Sequence, residues 1–493
     1  MRKSGVLMHI SSLSDPYGIG TLGNAAREFV DFLHEAGQSF WQVLPICPTG
    51  YGDSPYQSFS CEAGNPYFID PDELARQGLL EKKDYQNRAW GKDPARVDYG
   101  ALYRERFAVL FRAAKTYLED PSDDYESFLR ENASWIDDYA VFMTLKNCNG
   151  GKSWYEWEKP FKERDGEAMG AFRAQHAGEI EIWKVIQYFF FRQWFALKKY
   201  ANRKGIRIIG DLPIYVAQDS VSVWTRRQLF QLDEDGMPKE VSGCPPDGFS
   251  AAGQLWGNPL YDWEYMKQDH YAWWTARIDY LCRVFDVLRI DHFRGFESYY
   301  AIPAGDATAQ NGRWRPGPGI ALFDCVRDAI GKKDIIAENL GYLTPGVEKL
   351  LKESGFPGMK VVQFCFDERD SDGDRSLPHC FEENCVAYIG THDNDTALGW
   401  LKSARPEDTD RAIEYMHLNE DEGYGWGMLR TLWGTKAGIT IAQAQDLLEL
   451  GSEARMNIPS GQKGNWVWRA LPGDFTPELA QKLRDLTLQY DRL

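Results

Sequence analysis

Short apolar runs alternate along this chain with longer stretches whose apolar residues recur every three to four positions. Eight runs read as strands: Gly5–Ile10, Phe40–Ile46, Ile206–Leu212, Asp286–Asp291, Asp334–Glu338, Met359–Phe366, Cys385–Thr391 and Asn465–Leu471. A run of four to six apolar residues fits a strand buried on both faces, as in a parallel sheet. Helical spacing covers Asn24–Ala36, which Gly37 should end, then Ala101–Leu118, Glu179–Lys204 and Tyr265–Phe285. Thr344-Pro345 and Thr476-Pro477 are N-cap and first-turn pairs that start two more helices. Eight strands alternating with helices predict an α/β fold, a single (β/α)8 TIM barrel over residues 1–493. The spacing is uneven. From Ile46 to Ile206 the chain runs 160 residues, far more than one crossover needs. Three excursions are therefore expected. They are a mainly helical insertion at 60–190, a loop or subdomain carrying an active-site lid at 217–265, and a helical segment at 400–461 before the eighth strand.

Three of the runs stop at an acid. Asp291 follows Val287-Leu288-Arg289-Ile290, Glu338 follows Ile335-Ile336-Ala337, and Asp393 comes just past the Val386–Gly390 run and His392. In barrels of this kind the carboxyl ends of the strands form the catalytic face. Acetal chemistry needs two carboxylates in different states, one ionised at the anomeric carbon and one protonated for the leaving oxygen. Arg289, two residues before Asp291, shares its side of the strand and is expected to lower that carboxyl's pKa. The apolar run before Glu338 is expected to raise its pKa toward that of a general acid. Asp393 beside His392 is placed to grip sugar hydroxyls. A single acid at a strand end is most often a helix cap or a salt-bridge partner; three at one end of one barrel are a stronger signal. Metal catalysis ranks low, because His9, His292 and His392 come from different strands and do not cluster in sequence.

Composition narrows the partners. The net charge of −17 argues against nucleic acid, whose phosphates need a basic face. The nine cysteines form no C-x-x-C pair and are odd in number, which argues against a disulfide framework or a zinc site and suits a reducing cytoplasm. The apolar stretch after Arg2 and Lys3 ends by Ile10, too short for a signal-peptide core, and no run reaches the roughly 20 apolar residues of a membrane span. Aromatic residues make up 14% of the chain, enough for a large core and a sugar-stacking groove together. The 242–261 segment, SGCPPDGFSAAGQLWGNPLY, reads as a loop tipped by Phe249 and Trp256. It is either an Ω-loop packed on itself or a lid over the reacting sugar.

Eight motifs then occur in a fixed order: GYGDSPYQ, DLPIYV, GQLWGNPLY, RIDHFRG, AENLG, GTHDN, and RMNIPSG with GNWVWR. Together they resemble the 4-α-glucanotransferases (amylomaltases or disproportionating enzymes) of the α-amylase-related barrel clan, over essentially the whole chain. The resemblance implies a retaining double displacement on α-1,4-glucans and maltooligosaccharides. In it Asp291 is the nucleophile, Glu338 the acid/base and Asp393 the transition-state stabiliser. Arg289, His292 and His392 match residues lining the reacting subsite. Tyr56, Asp211, Phe249, Trp256, Asn258 and Pro259 match substrate-binding positions. No cofactor, no metal, no nucleic-acid partner and no membrane partner are implied, and oligomeric state is left open. The family's closest pattern often has a second aromatic before the loop Phe, where this chain has Gly248; that implies weaker ring contact with the acceptor. No N-terminal carbohydrate-binding module is expected. A plain α-1,4-glucan hydrolase on the same barrel, or a non-catalytic glucan-binding protein, are the alternatives.

Overall fold

A computed structural model describes residues 2–50, 52–246, 252–341, 343–367, 376–459, 461 and 464–493. Twelve strands are present among them: β1 (Lys3–Leu7), β2 (Phe40–Gln42), β3 (Arg207–Leu212), β4 (Glu240–Cys244), β5 (Gln254–Pro259), β6 (Val287–Ile290), β7 (Ser298–Pro303), β8 (Arg313–Pro316), β9 (Ile335–Ala337), β10 (Gly358–Val361), β11 (Cys385–Tyr388) and β12 (Ile439–Gln443). Eight close into a parallel barrel in the order β1-β2-β3-β6-β9-β10-β11-β12. The expected (β/α)8 barrel is therefore the observed one. Its strands are buried almost throughout, β6, β9 and β11 at every residue, because side chains on one face fill the barrel and those on the other pack beneath helices.

The helix signals act where they stand. Asn24–Glu35 ends before Gly37, whose φ of 68° no side-chain-bearing residue adopts cheaply. Thr344 and Thr476 accept hydrogen bonds from Val347 N and Leu479 N and open helices Pro345–Ser354 and Pro477–Gln489. One expected helix divides. Tyr265–Phe285 becomes Trp263–Gln268 and Ala272–Val284, because His270 and Tyr271 both take left-handed φ, 55° and 57°, which an α-helix cannot contain.

The eighth strand is not where the apolar pattern put it. The barrel closes with β12, Ile-Thr-Ile-Ala-Gln, whose Thr440 and Gln443 interrupt the apolar run a sequence reading looks for. Asn465–Leu471 is an extended segment on the rim. Its backbone pairs with residues 95–97 (Val97 N to Val467 O 2.8 Å, Arg469 N to Ala95 O 2.9 Å). Trp466, Trp468 and Ala470 are buried there, and that alternation mimics a strand. Residues 400–461 are accordingly not an insertion before strand eight; they contain it.

Between β2 and β3 the chain is helical, with Tyr99–Tyr117, Asp123–Glu131, Ile136–Cys148 and Gly166–Gln175 among its helices. Helix Ala177–Arg203 fastens this region to the barrel. Its buried Gln187 exchanges two hydrogen bonds with the backbone of Gly64 (2.7 and 3.0 Å), and Gln193 does the same with Asp70 (2.7 and 3.1 Å). Each amide imitates a strand partner and fixes the loop that follows β2. After β3, much of the expected 242–261 loop is regular structure. β4 and β5 form an antiparallel hairpin within a second sheet, ordered β5-β4-β7-β8. Gly243 serves close strand approach: a Cβ there would lie 2.1 Å from Gln254 O. Gly248 and Phe249, at the tip of the expected lid, lie outside the described residues. No helix among the described residues is long and apolar enough to cross a membrane.

The floor of the barrel depends on one side chain. Arg492, fully buried, donates to Lys3 O (3.2 Å), Trp433 O (2.8 Å), Thr435 O (2.7 Å) and Ala437 O (2.9 Å). It joins the start of β1 to the turn that enters β12. Arg492→Ala takes a charged donor from four carbonyls, of which Thr435 O keeps another in Arg2 Nη1 (3.2 Å), and should lower unfolding free energy by about 3 kcal/mol. Activity per folded molecule should be retained. Denaturant titration of the two proteins checks this; a loss below about 1 kcal/mol would contradict the clasp.

Candidate active site

Barrel register sets the first two acids side by side. Ile290 of β6 pairs with Ala337 of β9, so the next residues, Asp291 and Glu338, occupy equivalent positions on adjacent strands. Adjacent strands lie about 4.8 Å apart. The backbone carries on the pairing, with Glu338 N donating to Ile290 O (2.9 Å) and Phe293 N to Glu338 O (2.9 Å). Both Glu338 oxygens accept backbone N–H groups, Oε1 from Leu340 (2.8 Å) and Oε2 from His292 (2.6 Å). His292 supplies that N–H from a left-handed conformation, φ 48°. A non-glycine residue held there is strained, and such strain collects at functional sites.

Arg289 and Asp211 face each other across β3 and β6. Arg289 Nη1 lies 2.8 and 2.7 Å from the two Asp211 oxygens and 3.1 Å from Asp291 Oδ1. The Arg289 and Asp211 side chains are 3% and 0% exposed, whereas that of Asp291 is 25% exposed toward the barrel mouth. The expected ionisation of Asp291 is therefore corrected in sign. Burial, reinforced by Asp211, Glu338 and Asp393, pushes its carboxyl well above the usual range, and Arg289 only opposes this. The physical reason is burial first; the guanidinium that opposes it is shared among several carboxylates and gives its two shortest bonds to Asp211. Burial also pushes Glu338 up, in the expected direction, against Arg289 and the two backbone donors.

Asp393 comes from the loop beyond β11. Asn394 Oδ1 accepts from Thr391 N (2.9 Å) and Thr391 Oγ1 (3.0 Å), closing a tight turn. Asn457 Nδ2 donates to Asp393 Oδ1 (2.6 Å), Arg455 Nη2 to Asp393 O (2.7 Å) and Asn457 N to His392 O (3.1 Å). Arg455 and Asn457 are site residues that sequence reasoning passed over. They sit in RMNIPSG, a motif visible in the sequence but with no strand end to give it a role. His392 Nε2 lies 3.5 Å from Asp393 Oδ1 and 2.9 Å from Tyr56 Oη, and Tyr56 Oη lies 2.8 Å from Asp211 Oδ2. Burial pushes His292 down to about 3 and His392 down as well, so both rings are neutral near pH 7.

Trp256 stands edge-on to His292, ring centres 4.8 Å apart. Asn258 is buried and its amide is spent within the protein: it exchanges hydrogen bonds with the Gln57 amide (3.1 and 3.3 Å) and donates to Val216 O (3.0 Å). Pro259, also buried, pairs with Val241 at the end of β5. Both belong to the frame that holds Trp256. The structure thus gathers Tyr56, Asp211, Trp256, Arg289, Asp291, His292, Glu338, His392 and Asp393 at one end of the barrel, while Phe249 lies outside the described residues. Among the described residues no group of three or more His, Cys, Asp or Glu side chains is set to hold a metal.

A second layer supports the Asp393 loop. Asp395 accepts from Ser452 Oγ (2.7 Å), and Asp446 Oδ1 accepts from Ala397 N (2.7 Å) at the start of helix Ala397–Ser403. Burial pushes the Asp446 carboxyl up to about 7; the Ala397 N–H opposes this and Asp395 adds to it. The unfolded chain loses this proton first, so the folded state becomes relatively less stable as pH rises from about 4 to about 7, with no further loss above. Asp446→Asn keeps an acceptor for Ala397. Its stability gain over the parent should grow across that window to on the order of 4 kcal/mol. Thermal melts at a series of pH values check this; a gain flat with pH would contradict it.

The comparisons with known proteins agree with this geometry. Residues 8–473 match the family model described as 4-alpha-glucanotransferase. A 4-alpha-glucanotransferase of Clostridium butyricum is 48% identical over 490 residues, covering 98% of this chain and 100% of the relative. One from Thermus thermophilus is 44% identical over 503 residues, covering 100% and 99%. Among solved structures, the amylomaltase from Streptococcus agalactiae in complex with acarbose superposes with a TM-score of 0.97 at 45% identity, covering both chains fully.

Proposed function

The chain belongs to the 4-alpha-glucanotransferase family, and on that premise we propose which of its residues carry the transfer. The activity itself follows from the family: α-1,4-glucan segments move from a donor to the 4-hydroxyl of an acceptor through a covalent glucosyl-enzyme intermediate. Glucans are the substrates.

Asp291 attacks the anomeric carbon while Glu338 protonates the departing oxygen. A glucosyl ester forms on Asp291 and the leaving glucan departs with the proton. The acceptor 4-hydroxyl then gives its proton to Glu338 and displaces the ester, so configuration is retained. The observation that carries this reading is the adjacency of Asp291 and Glu338 at one register step of β6 and β9. Retention requires the two carboxyl groups about 5–5.5 Å apart, close to the separation of adjacent strands. The excess of negative charge around Arg289 favours the positive charge that develops at the anomeric carbon. The same excess pushes Asp291 up in the free protein. Asp393, clamped by Asn457, reaches the sugar hydroxyls together with His392. Trp256 and His292 wall the reacting subsite, and Asn258 and Pro259 act through Trp256.

Incubation with maltotriose should give glucose together with a ladder of longer maltooligosaccharides; products confined to shorter sugars would favour the hydrolase reading. Asp291→Asn should lower kcat by about 10⁴-fold or more with the fold intact, as expected for loss of a covalent nucleophile. Near-normal turnover in that variant would remove Asp291 from the nucleophile's place.

A further inference from the structure

One proton on Tyr56 has two claimants. Its hydroxyl oxygen lies 2.8 Å from Asp211 Oδ2 and 2.9 Å from His392 Nε2. Both Asp211 oxygens also accept from Arg289, so this carboxylate is acceptor-only. Tyr56 keeps its proton, since burial and then Asp211 push the hydroxyl well above its usual range. The Tyr56 proton therefore goes to Asp211, and the Tyr56 oxygen has only its lone pairs left for His392. Asp393 Oδ1, 3.5 Å from the same ring nitrogen, is a second acceptor beside it. A bare nitrogen there would set a lone pair against both oxygens.

We propose that Asp211, acting through Tyr56, is a positioning residue that fixes His392 as the tautomer protonated at Nε2. The chain runs from Arg289 through Asp211 and Tyr56 to His392. A neutral ring with its proton on Nε2 presents a donor beside Asp393. The one Nε2–H is shared in a three-centre bond between the Tyr56 oxygen and a hydroxyl seated beside Asp393, and that hydroxyl keeps its own proton to give to Asp393. The other tautomer would offer acceptors on both sides and bind that hydroxyl through one contact only. Asp211 is itself too buried to do this directly, with its side chain fully enclosed. The consequence for the reaction rests on the placement of His392 and Asp393 at the reacting sugar proposed above; the tautomer can be read without turnover.

The test is a long-range proton–nitrogen correlation spectrum of protein labelled with ¹⁵N-histidine, the His392 signals being assigned by their loss in His392→Gln. The parent should show Nε2 as the protonated nitrogen and Nδ1 as the bare one. Protonation at Nδ1 instead would overturn the proposal even if the transferase reading stands. In Asp211→Asn the amide donates toward Tyr56, the Tyr56 hydroxyl turns to His392, and the proton should move to Nδ1. kcat should then fall about 10²–10³-fold, the usual loss for one preorganised donor. In Tyr56→Phe, which leaves the Arg289–Asp211 pair intact, the His392 signals should become a mixture of the two tautomers. A single unchanged Nε2–H form in both variants would overturn the role given to Asp211.

Discussion

The buried pairing of Arg289 with Asp211 is the constraint on which this site depends. Both side chains lie inside the barrel, where an unpaired charge is costly; removing either partner typically costs about 3–5 kcal/mol. The pair is also unequal to its surroundings. Arg289 has one guanidinium to offer, and Asp211, Asp291, Glu338 and Asp393 all feel it or one another. With all four ionised, the group would hold a net charge of about −3, which a buried pocket resists by binding protons. A site that must carry both a proton for a leaving group and a surplus of negative charge for a cationic transition state finds both in this imbalance.

The barrel supplies distances that no loop could hold as well. Register places Asp291 beside Glu338 and Asp211 beside Arg289, so two side-chain pairings are fixed by hydrogen bonds between parallel strands. Asp393 is different. It hangs on a turn, and its position comes from Asn457 and Arg455, which lie beyond β12. The Asp393 loop thus depends on the closure of the barrel at β12, and that closure is tied through Arg492 to the start of β1.

Much of this was legible in the sequence for physical reasons. Strands buried on both faces leave continuous apolar runs, and acids just past such runs can only sit at one end of a barrel. β12 was not legible, because both of its faces carry a buried polar residue: Gln443 points into an interior where Gln42 and Tyr388 bond to each other at 2.8 Å, and Thr440 points to the opposite face. A barrel that buries polar side chains breaks the rule by which its strands are found. The charge state of Asp291 was misread for a related reason. Sequence adjacency showed Arg289 beside Asp291 but could not show that Asp211, 78 positions earlier, had the stronger hold on the same guanidinium. Asn258 looked like a groove residue because GQLWGNPLY is one continuous motif. Only the fold reveals that its amide turns inward to Gln57 and Val216.

These carboxylates do not by themselves choose between water and sugar as the attacking group. In the mechanism proposed above, either nucleophile gives one proton to Glu338 and displaces the same ester, so the electrostatics of Arg289 and its carboxylates serve both. Discrimination has to come from groups that hold a glucan and exclude water. The aromatic residues proposed for that task lie off the barrel strands. Trp256 rides on the hairpin of the second sheet, held to the loop after β2 by the Gln57–Asn258 amide pair. Tyr56 comes from that same loop, which Gln187 and Gln193 of the long helix anchor through backbone-like bonds at Gly64 and Asp70. The helical region between β2 and β3 therefore does more than enlarge the molecule. Through two buried glutamines it anchors the loop that carries Tyr56 and Gln57, and so fixes where those side chains stand relative to Asp211 and Trp256.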